Sequence, residues 1–148
     1  MADSFSATSS YIHSRSAIHL FLRKRLKPLH ANKTPELLTR IDHAINGELV
    51  TVIMNSPTSF TVELSVQDRN RGNDWINIAF EIDGVSDAGL VEDNKLPFVD
   101  MSEGITIVFE NGICGLAVGN YSSIEALKDA VLYLIGSSVK YEERPFGS

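Results

Sequence analysis

The pattern of apolar positions that most clearly predicts structure lies in the C-terminal third of the chain. Two apolar runs, residues 105–109 and 113–118, flank the dipeptide Asn111-Gly112. A two-residue turn needs positive φ at both central positions, which glycine adopts freely and asparagine at small cost. The pattern therefore predicts a β-hairpin.

A helix is predicted to follow this hairpin. Ser122 is placed to cap it, and Glu125, three residues later, completes a capping box. Gly136 is typical of the residue that follows the end of a helix. Between them, apolar residues recur with helical spacing at Ile124, Leu127, Val131, Leu134 and Ile135.

Two more helices are predicted near the N-terminus. The first covers residues 11–26, where apolar side chains recur on one side and Pro28 ends the element. The second begins with Thr34 as its cap and Pro35 at its first helical position, and Gly47 closes it.

The apolar period changes to two after Gly47. Residues 49–54 form an apolar run, and residues 60–67 and 76–83 alternate between apolar and polar side chains. Because short polar links join the three runs, they predict an antiparallel meander with one face in water. The side chains expected on this wet face are Thr61, Glu63, Ser65, Gln67, Asn77 and Glu81.

Together these elements predict an α+β fold, in which a five-stranded antiparallel sheet is covered by two N-terminal helices and one C-terminal helix. The sheet would combine the meander with the C-terminal hairpin. Residues 11–138 are expected to form a single domain after a flexible lead-in, residues 1–10. Residues 139–148 would be a tail, loose unless Tyr141 or Phe146 docks.

The element order also resembles that of a known family. A small acidic protein with a helix, three strands, a connection, two strands and a helix resembles the class I type III secretion chaperones. The resemblance covers element order and no motif residue. It implies a protein that binds a secreted effector.

Charge is distributed unevenly over the 148 residues. The formal net charge is −6, but residues 1–47 carry seven Lys or Arg and three Asp or Glu, whereas residues 48–148 carry six and sixteen. An acidic body of this kind favours a basic partner and disfavours nucleic acid.

The connection between residues 83 and 104 is the richest acidic stretch. A connection of this length without a clear period is often functional. Trp75 is a further candidate, because tryptophan is enriched among residues that dominate interfaces. The residues predicted to bind a partner are Asp83, Asp87, Glu92, Asp93, Asp100, Glu103 and Trp75.

No set of catalytic or metal-binding residues is evident in the sequence. Cys114 lies in an apolar strand, where a thiol is expected to be buried and inert. The histidines lack the spacing that places two ligands on one helix face. We therefore expect no enzyme activity, no metal and no cofactor. The four histidines are His13, His19, His30 and His43.

The lone cysteine excludes a disulfide framework, and no apolar run reaches the length of about 20 residues that crosses a bilayer. We therefore expect a cytoplasmic protein without membrane contact. Residues 1–30, which bear Ser and Arg and the single acid Asp3, also fit a mitochondrial transit peptide, although a surface helix explains them as well.

The expected function is that of a non-enzymatic protein-binding module, most specifically an intracellular inhibitor or immunity-type protein that neutralises a basic toxin. One alternative is a chaperone-like binder of a secreted effector. Another is a small-ligand protein or enzyme with a pocket between sheet and helices. The open edge of residues 49–54 also allows a homodimer.

Overall fold

The structure, a computed structural model, describes residues 25–147. Strands make up most of their regular structure. The strands are β1 (Lys27–Pro28), β2 (Glu48–Ser56), β3 (Ser59–Asp68), β4 (Asp74–Asp83), β5 (Asp87–Gly89), β6 (Ile105–Glu110), β7 (Ile113–Val118), β8 (Tyr133–Gly136) and β9 (Ser138–Pro145). The described helices are α1 (Thr34–Arg40) and α2 (Ile124–Leu127), with 3₁₀ turns at Asp42–Ala44, Arg69–Arg71 and Asp93–Phe98.

Two antiparallel sheets form the fold. Sheet A has the strand order β1-β9-β4-β3-β2, and sheet B has the order β5-β8-β7-β6. One face of each sheet packs into a common core, to which α1 adds Leu37 and Leu38. Burial of each large apolar side chain there contributes about 1.5–3 kcal/mol. The largest core residues of the two sheets include Phe60, Leu64, Ile78, Phe80, Ile82, Leu116 and Leu134.

The meander and the hairpin form where the sequence predicts them. β2, β3 and β4 pair in succession, with Val62 opposite both Val52 and Phe80. β6 and β7 pair around Asn111-Gly112, whose φ values are 51° and 77°. These strands follow from alternation of apolar side chains and from turn chemistry, both of which are local in sequence.

The predicted α+β fold class is wrong. The structure is mostly β, with sheets of five and four strands in place of one five-stranded sheet. Of the residues that the structure describes, 47% are in strands and 19% in helices. The difference arises largely in the last 25 residues. The sequence pattern assigned this region to a helix and a tail, whereas it supplies one strand to each sheet.

The predicted C-terminal helix is much shorter than expected. α2 has only four residues, and its cap is Ser123, whose Oγ accepts a hydrogen bond from Ala126 N at 3.0 Å, rather than Ser122. Leu132 and Leu134 are fully buried with a period of two. A short apolar run fits the period of a helix as well as that of a strand. Here the pairing of β8 between β5 and β7 makes the run a strand.

The predicted C-terminal tail forms strand β9. It pairs with β4 from Ser138 opposite Asp83 to Pro145 opposite Ile76, and it also pairs with β1. Tyr141 packs against the core. The sequence predicts a loose tail unless Tyr141 or Phe146 docks, and Tyr141 does dock.

α1 ends at Arg40, seven residues before the predicted end at Gly47. The residues that follow, Asp42, His43 and Ala44, have φ values of 53°, 55° and 58°. A right-handed helix cannot continue through these left-handed conformations. The predicted helix over residues 11–26 lies outside the described residues, except for its last two positions.

The connection over residues 83–104 contains β5 and the 3₁₀ turn Asp93–Phe98. Within residues 25–147, the chain adds the strands β1, β5, β8 and β9 to the order of elements that resembles the secretion chaperones.

Candidate functional site

The predicted partner-binding residues do not form one surface. Asp87 lies on β5 and Glu103 precedes β6, and these strands are the two opposite edges of sheet B. Three strand spacings, about 14 Å, separate the edges. Trp75 lies near the start of β4 and Asp83 at its end, so about 26 Å of strand separates them.

Several of the predicted acids have local partners. Asp87 accepts a hydrogen bond from the Tyr133 hydroxyl at 2.9 Å, and this bond raises the pKa of the tyrosine. Asp100 accepts a hydrogen bond from Ser102 N at 2.9 Å, which lowers the pKa of the carboxyl. These contacts explain both acids as parts of local structure.

The remaining predicted residues lie at the surface. Glu92 pairs with Lys95 at 2.9 Å, and both side chains are exposed. Asp93 is exposed at the start of its 3₁₀ turn. Trp75 contacts Phe146, with ring centroids 6.0 Å apart, and is 39% exposed. Glu103 is exposed and lines the groove described below.

The face of sheet A directed away from sheet B carries a buried polar layer. Glu63 and Asn77 are 6% and 2% exposed, so the predicted wet face is wrong at these positions. Asn77 Nδ2 donates to Glu63 Oε2 at 2.9 Å, and Ser65 Oγ donates to Asn77 Oδ1 at 2.8 Å. Because buried polar groups are costly without partners, this network makes the burial tolerable. Ser65 and Glu81 are also buried, at 4% and 2% exposure.

Arg144 holds two carboxylates of the polar layer. Its Nη1 lies 2.8 Å from Glu63 Oε1, and its Nε lies 2.6 Å from Glu142 Oε2. Glu142 is 2% exposed, and its Oε1 has no hydrogen-bond partner within the part of the chain that the structure describes. The neighbouring carboxylates raise the pKa of Arg144 against the opposing effect of its burial.

Asp83 closes the other end of the polar layer. Its Oδ1 accepts a hydrogen bond from Ser59 Oγ at 2.7 Å, and its Oδ2 lies 3.4 Å from Lys140 Nζ, an ion pair without hydrogen-bond geometry. Burial raises the pKa of Asp83. Hydrogen bonds with Ser59 and Glu81, together with the Lys140 charge, outweigh burial and bring the pKa below the ordinary value of 3.8. The layer therefore satisfies most of its charges internally.

An open groove runs along β6, and we call it the β6 groove. It consists of two cavities of about 530 Å³ and 430 Å³ that meet at Ala31 and Phe109. β6 forms one wall. Residues 28–35 and the adjoining turn of α1 form the other, where the apolar lining is Leu29, Pro35 and Leu38.

α1 is fixed beside this groove by an ion-pair cluster. Arg40 binds both carboxylate oxygens of Asp68 at 3.0 Å and lies 2.8 Å from Glu143 Oε1. The hydrogen bond to Glu143 and the Asp68 charge raise the pKa of Arg40 above its usual value. Because Asp68 is 1% exposed, the pairing holds α1 against sheet A.

The left-handed turn at Asp42–Ala44 shapes one end of the β6 groove. His43 and Glu103 both line this end. Gly104 has a φ of 70°, and a Cβ there would overlap the His43 carbonyl oxygen. A glycine is therefore required where the two segments meet, because only glycine combines positive φ with such a close approach.

The residues considered for catalysis and metal binding remain apart. Cys114 is buried, and this burial raises the pKa of its thiol. His30 and His43 are exposed, and His13 and His19 lie outside the described residues. Within residues 25–147 no group of three His, Cys, Asp or Glu is placed to hold a metal ion.

Sequence reasoning found Glu103 and missed the rest of the β6 groove. The lining residues come from residues 28–45, 103–113 and 137–140, together with Asn120, and the sheet topology brings them together. Ile105 and Ile107 were recognised as strand residues. Nothing in their local pattern shows that β6 is an edge strand.

Comparisons with protein-family models, with curated proteins and with solved structures found no match to this chain. Of the helices within residues 25–147, none combines the length and apolar character needed to cross a membrane.

Proposed function

We propose that the protein is a non-enzymatic binding module that holds a segment of a basic partner protein in the β6 groove. The observation that carries the proposal is the form of this groove, which is open, follows the whole of one strand and has apolar walls between polar ends.

The length of the groove favours a polypeptide over a small molecule. Its two cavities are joined end to end beside a six-residue strand, about 20 Å long. Small-molecule sites usually surround most of their ligand within one concavity. An extended segment of a protein fits the shape better.

The charge of the chain favours a basic partner. Residues 48–148 carry sixteen acids against six basic residues, and the exposed carboxylate of Glu103 lies at one end of the groove. Complementary charge raises the rate of association and selects the partner. An intracellular inhibitor that covers a basic toxin is the specific instance we propose.

The test compares two tryptophan variants of the full-length chain used as immobilised bait in a cell lysate. Ala31→Trp places a bulky ring where the two cavities meet. Asn32→Trp, at the next exposed position, does not line either cavity and is the matched control.

We expect the wild type and Asn32→Trp to retain a basic protein that Ala31→Trp loses, with unchanged thermal stability of both variants. Recovery of the same proteins by all three baits would refute binding in this groove. Retention of only acidic proteins would refute the charge argument.

A further inference from the structure

We propose that the partner segment binds as an added β-strand, antiparallel to β6, with a Lys or Arg at its C-terminal end beside Glu103. This inference rests on the proposed function and names the chemistry of the segment.

β6 has an unpaired edge within the described sheets, because it is the last strand in the order β5-β8-β7-β6. An open strand edge presents a row of N–H and C=O groups that can template another strand. The β6 groove runs along this edge, so a segment lying in the groove is placed beside those groups.

The hairpin register identifies which groups face the groove. Glu110 and Ile113 close a two-residue turn and therefore exchange both backbone hydrogen bonds. Bonded and non-bonded pairs alternate along an antiparallel ladder. The N–H and C=O groups of Ile105, Ile107 and Phe109 therefore point away from β7.

A bond elsewhere in sheet B agrees with this register. Val118, opposite Ile105, donates its N–H to Leu132 O at 3.0 Å, away from β6. Within residues 25–147, no hydrogen bond to another backbone group is recorded for the six outward groups of Ile105, Ile107 and Phe109. Ile105 and Ile107 are only 2% and 8% exposed.

Poorly hydrated backbone groups without partners are costly, and an added strand would pair all six. The far wall of the groove, residues 28–35, stands opposite β6 and faces any chain that pairs with this edge. A single extended chain is therefore the occupant that fits.

The side chains of β6 set the sequence of the added strand. Directly opposed residues share a face of the sheet. Ile105 and Ile107 belong to the core, and Phe109 packs against it, so the three residues opposite them should be apolar. Glu103 lies in the turn just before β6, is exposed and lines the same groove. It has no ion pair recorded among the described residues and would meet a cation beyond the last paired residue, at the C-terminal end of the segment.

The probe is the peptide acetyl-Val-Thr-Val-Thr-Val-Thr-Lys-amide, added to the full-length protein. We expect hydrogen exchange at the amides of Ile105, Ile107 and Phe109 to slow by at least about tenfold. The amides of Thr106 and Val108, which bond to β7, should change little. The same peptide with an N-methyl group on its central valine lacks one donor and should bind at least about tenfold more weakly.

Charge reversal tests the contact at the end of the groove. Glu103→Lys should bind the lysine peptide more weakly and prefer the same peptide ending in glutamate. Peptide binding without protection of the three amides would overturn strand addition while leaving the proposed protein-binding function intact. Absence of peptide binding up to 1 mM would also overturn it, whereas the lysate experiment decides the proposed function independently.

Discussion

The polar layer of sheet A and the β6 groove both contain polar groups with little access to water, and they differ in whether those groups have partners. In the polar layer, buried carboxylates find partners within the sheet, as Glu63 does with Asn77 and Arg144. In the groove, the outward backbone groups of β6 have no such partners among the described residues. The first arrangement supplies most of its own partners, and the second would gain its partners from the added strand that we propose.

The comparison shows that buried charge does not by itself mark a binding site. The polar layer contains more acids than the groove, yet Ser59, Lys140 and Arg144 already occupy most of their oxygens. The groove has few charges, but its strand edge offers a repeating pattern of donors and acceptors. We therefore propose a stabilising role for the polar layer and a binding role for the groove.

The largest loss of stability is expected from Arg144→Met, which removes the cation that lies beside both Glu63 and Glu142 among residues 25–147. Breaking a buried ion pair by removing one partner costs about 3–5 kcal/mol, because the other charge remains buried. Urea denaturation at pH 7 measures the loss in the free energy of unfolding.

Lys128→Met is the matched control for that loss. Lys128 pairs with Glu125 at 3.3 Å, and both side chains are exposed, so the cost should be about 0.5 kcal/mol or less. If Arg144→Met costs no more than this control, water reaches the carboxylates and the layer is not closed.

A smaller loss of stability is expected from a substitution in the Asn111-Gly112 turn, which joins β6 to β7. Gly112 has a φ of 77°, and a Cβ at this position would meet no atom within 4 Å. Gly112→Ala should therefore cost about 1 kcal/mol from backbone conformation alone. Thermal unfolding measures this cost.

Asn111→Gly, which relieves a φ of 51° at a non-glycine residue, should be neutral or slightly stabilising in the same assay. If Gly112→Ala has full wild-type stability, the two-residue turn is wrong, and so is the assignment of outward groups that depends on its register.

The sequence predicts those elements whose determining residues lie close together in the chain. The β2–β4 meander and the β6–β7 hairpin could be predicted, because their alternation and the Asn111-Gly112 turn are written within each segment. β8 could not be predicted, because Leu132 and Leu134 fit the helical period as well as the strand period. β9 could not be predicted either, because it is a polar segment that is stabilised by pairing with β4.

The candidate site shows the same limit. Glu103 could be found from the acidic composition of its loop, but Ala31 and Phe109 have no functional signature of their own. They meet only because α1 and β6 pack beside the same core. The buried polar layer was missed because alternation predicts which residues share a face and does not predict whether that face is covered.

The smallest expected effect concerns pH and the Asp83 end of the polar layer. The pKa of Asp83 is lowered in the folded protein, so its ionised form stabilises the fold above the ordinary, unfolded value of 3.8. This stability is lost as the pH falls through the folded pKa. The contribution should stay below about 1 kcal/mol, because Lys140 is 37% exposed and solvent screens the pair.

Urea unfolding of the wild type and of Asp83→Asn, compared from pH 6 to pH 2.5, tests this expectation. The difference between their free energies of unfolding should shrink below pH 4. Ser59→Ala removes a hydrogen-bond donor to the Asp83 carboxylate, so the loss of stability on acidification should begin at higher pH. If the difference in free energy between the wild type and Asp83→Asn stays constant or grows as the pH falls, the stabilising role of ionised Asp83 is wrong.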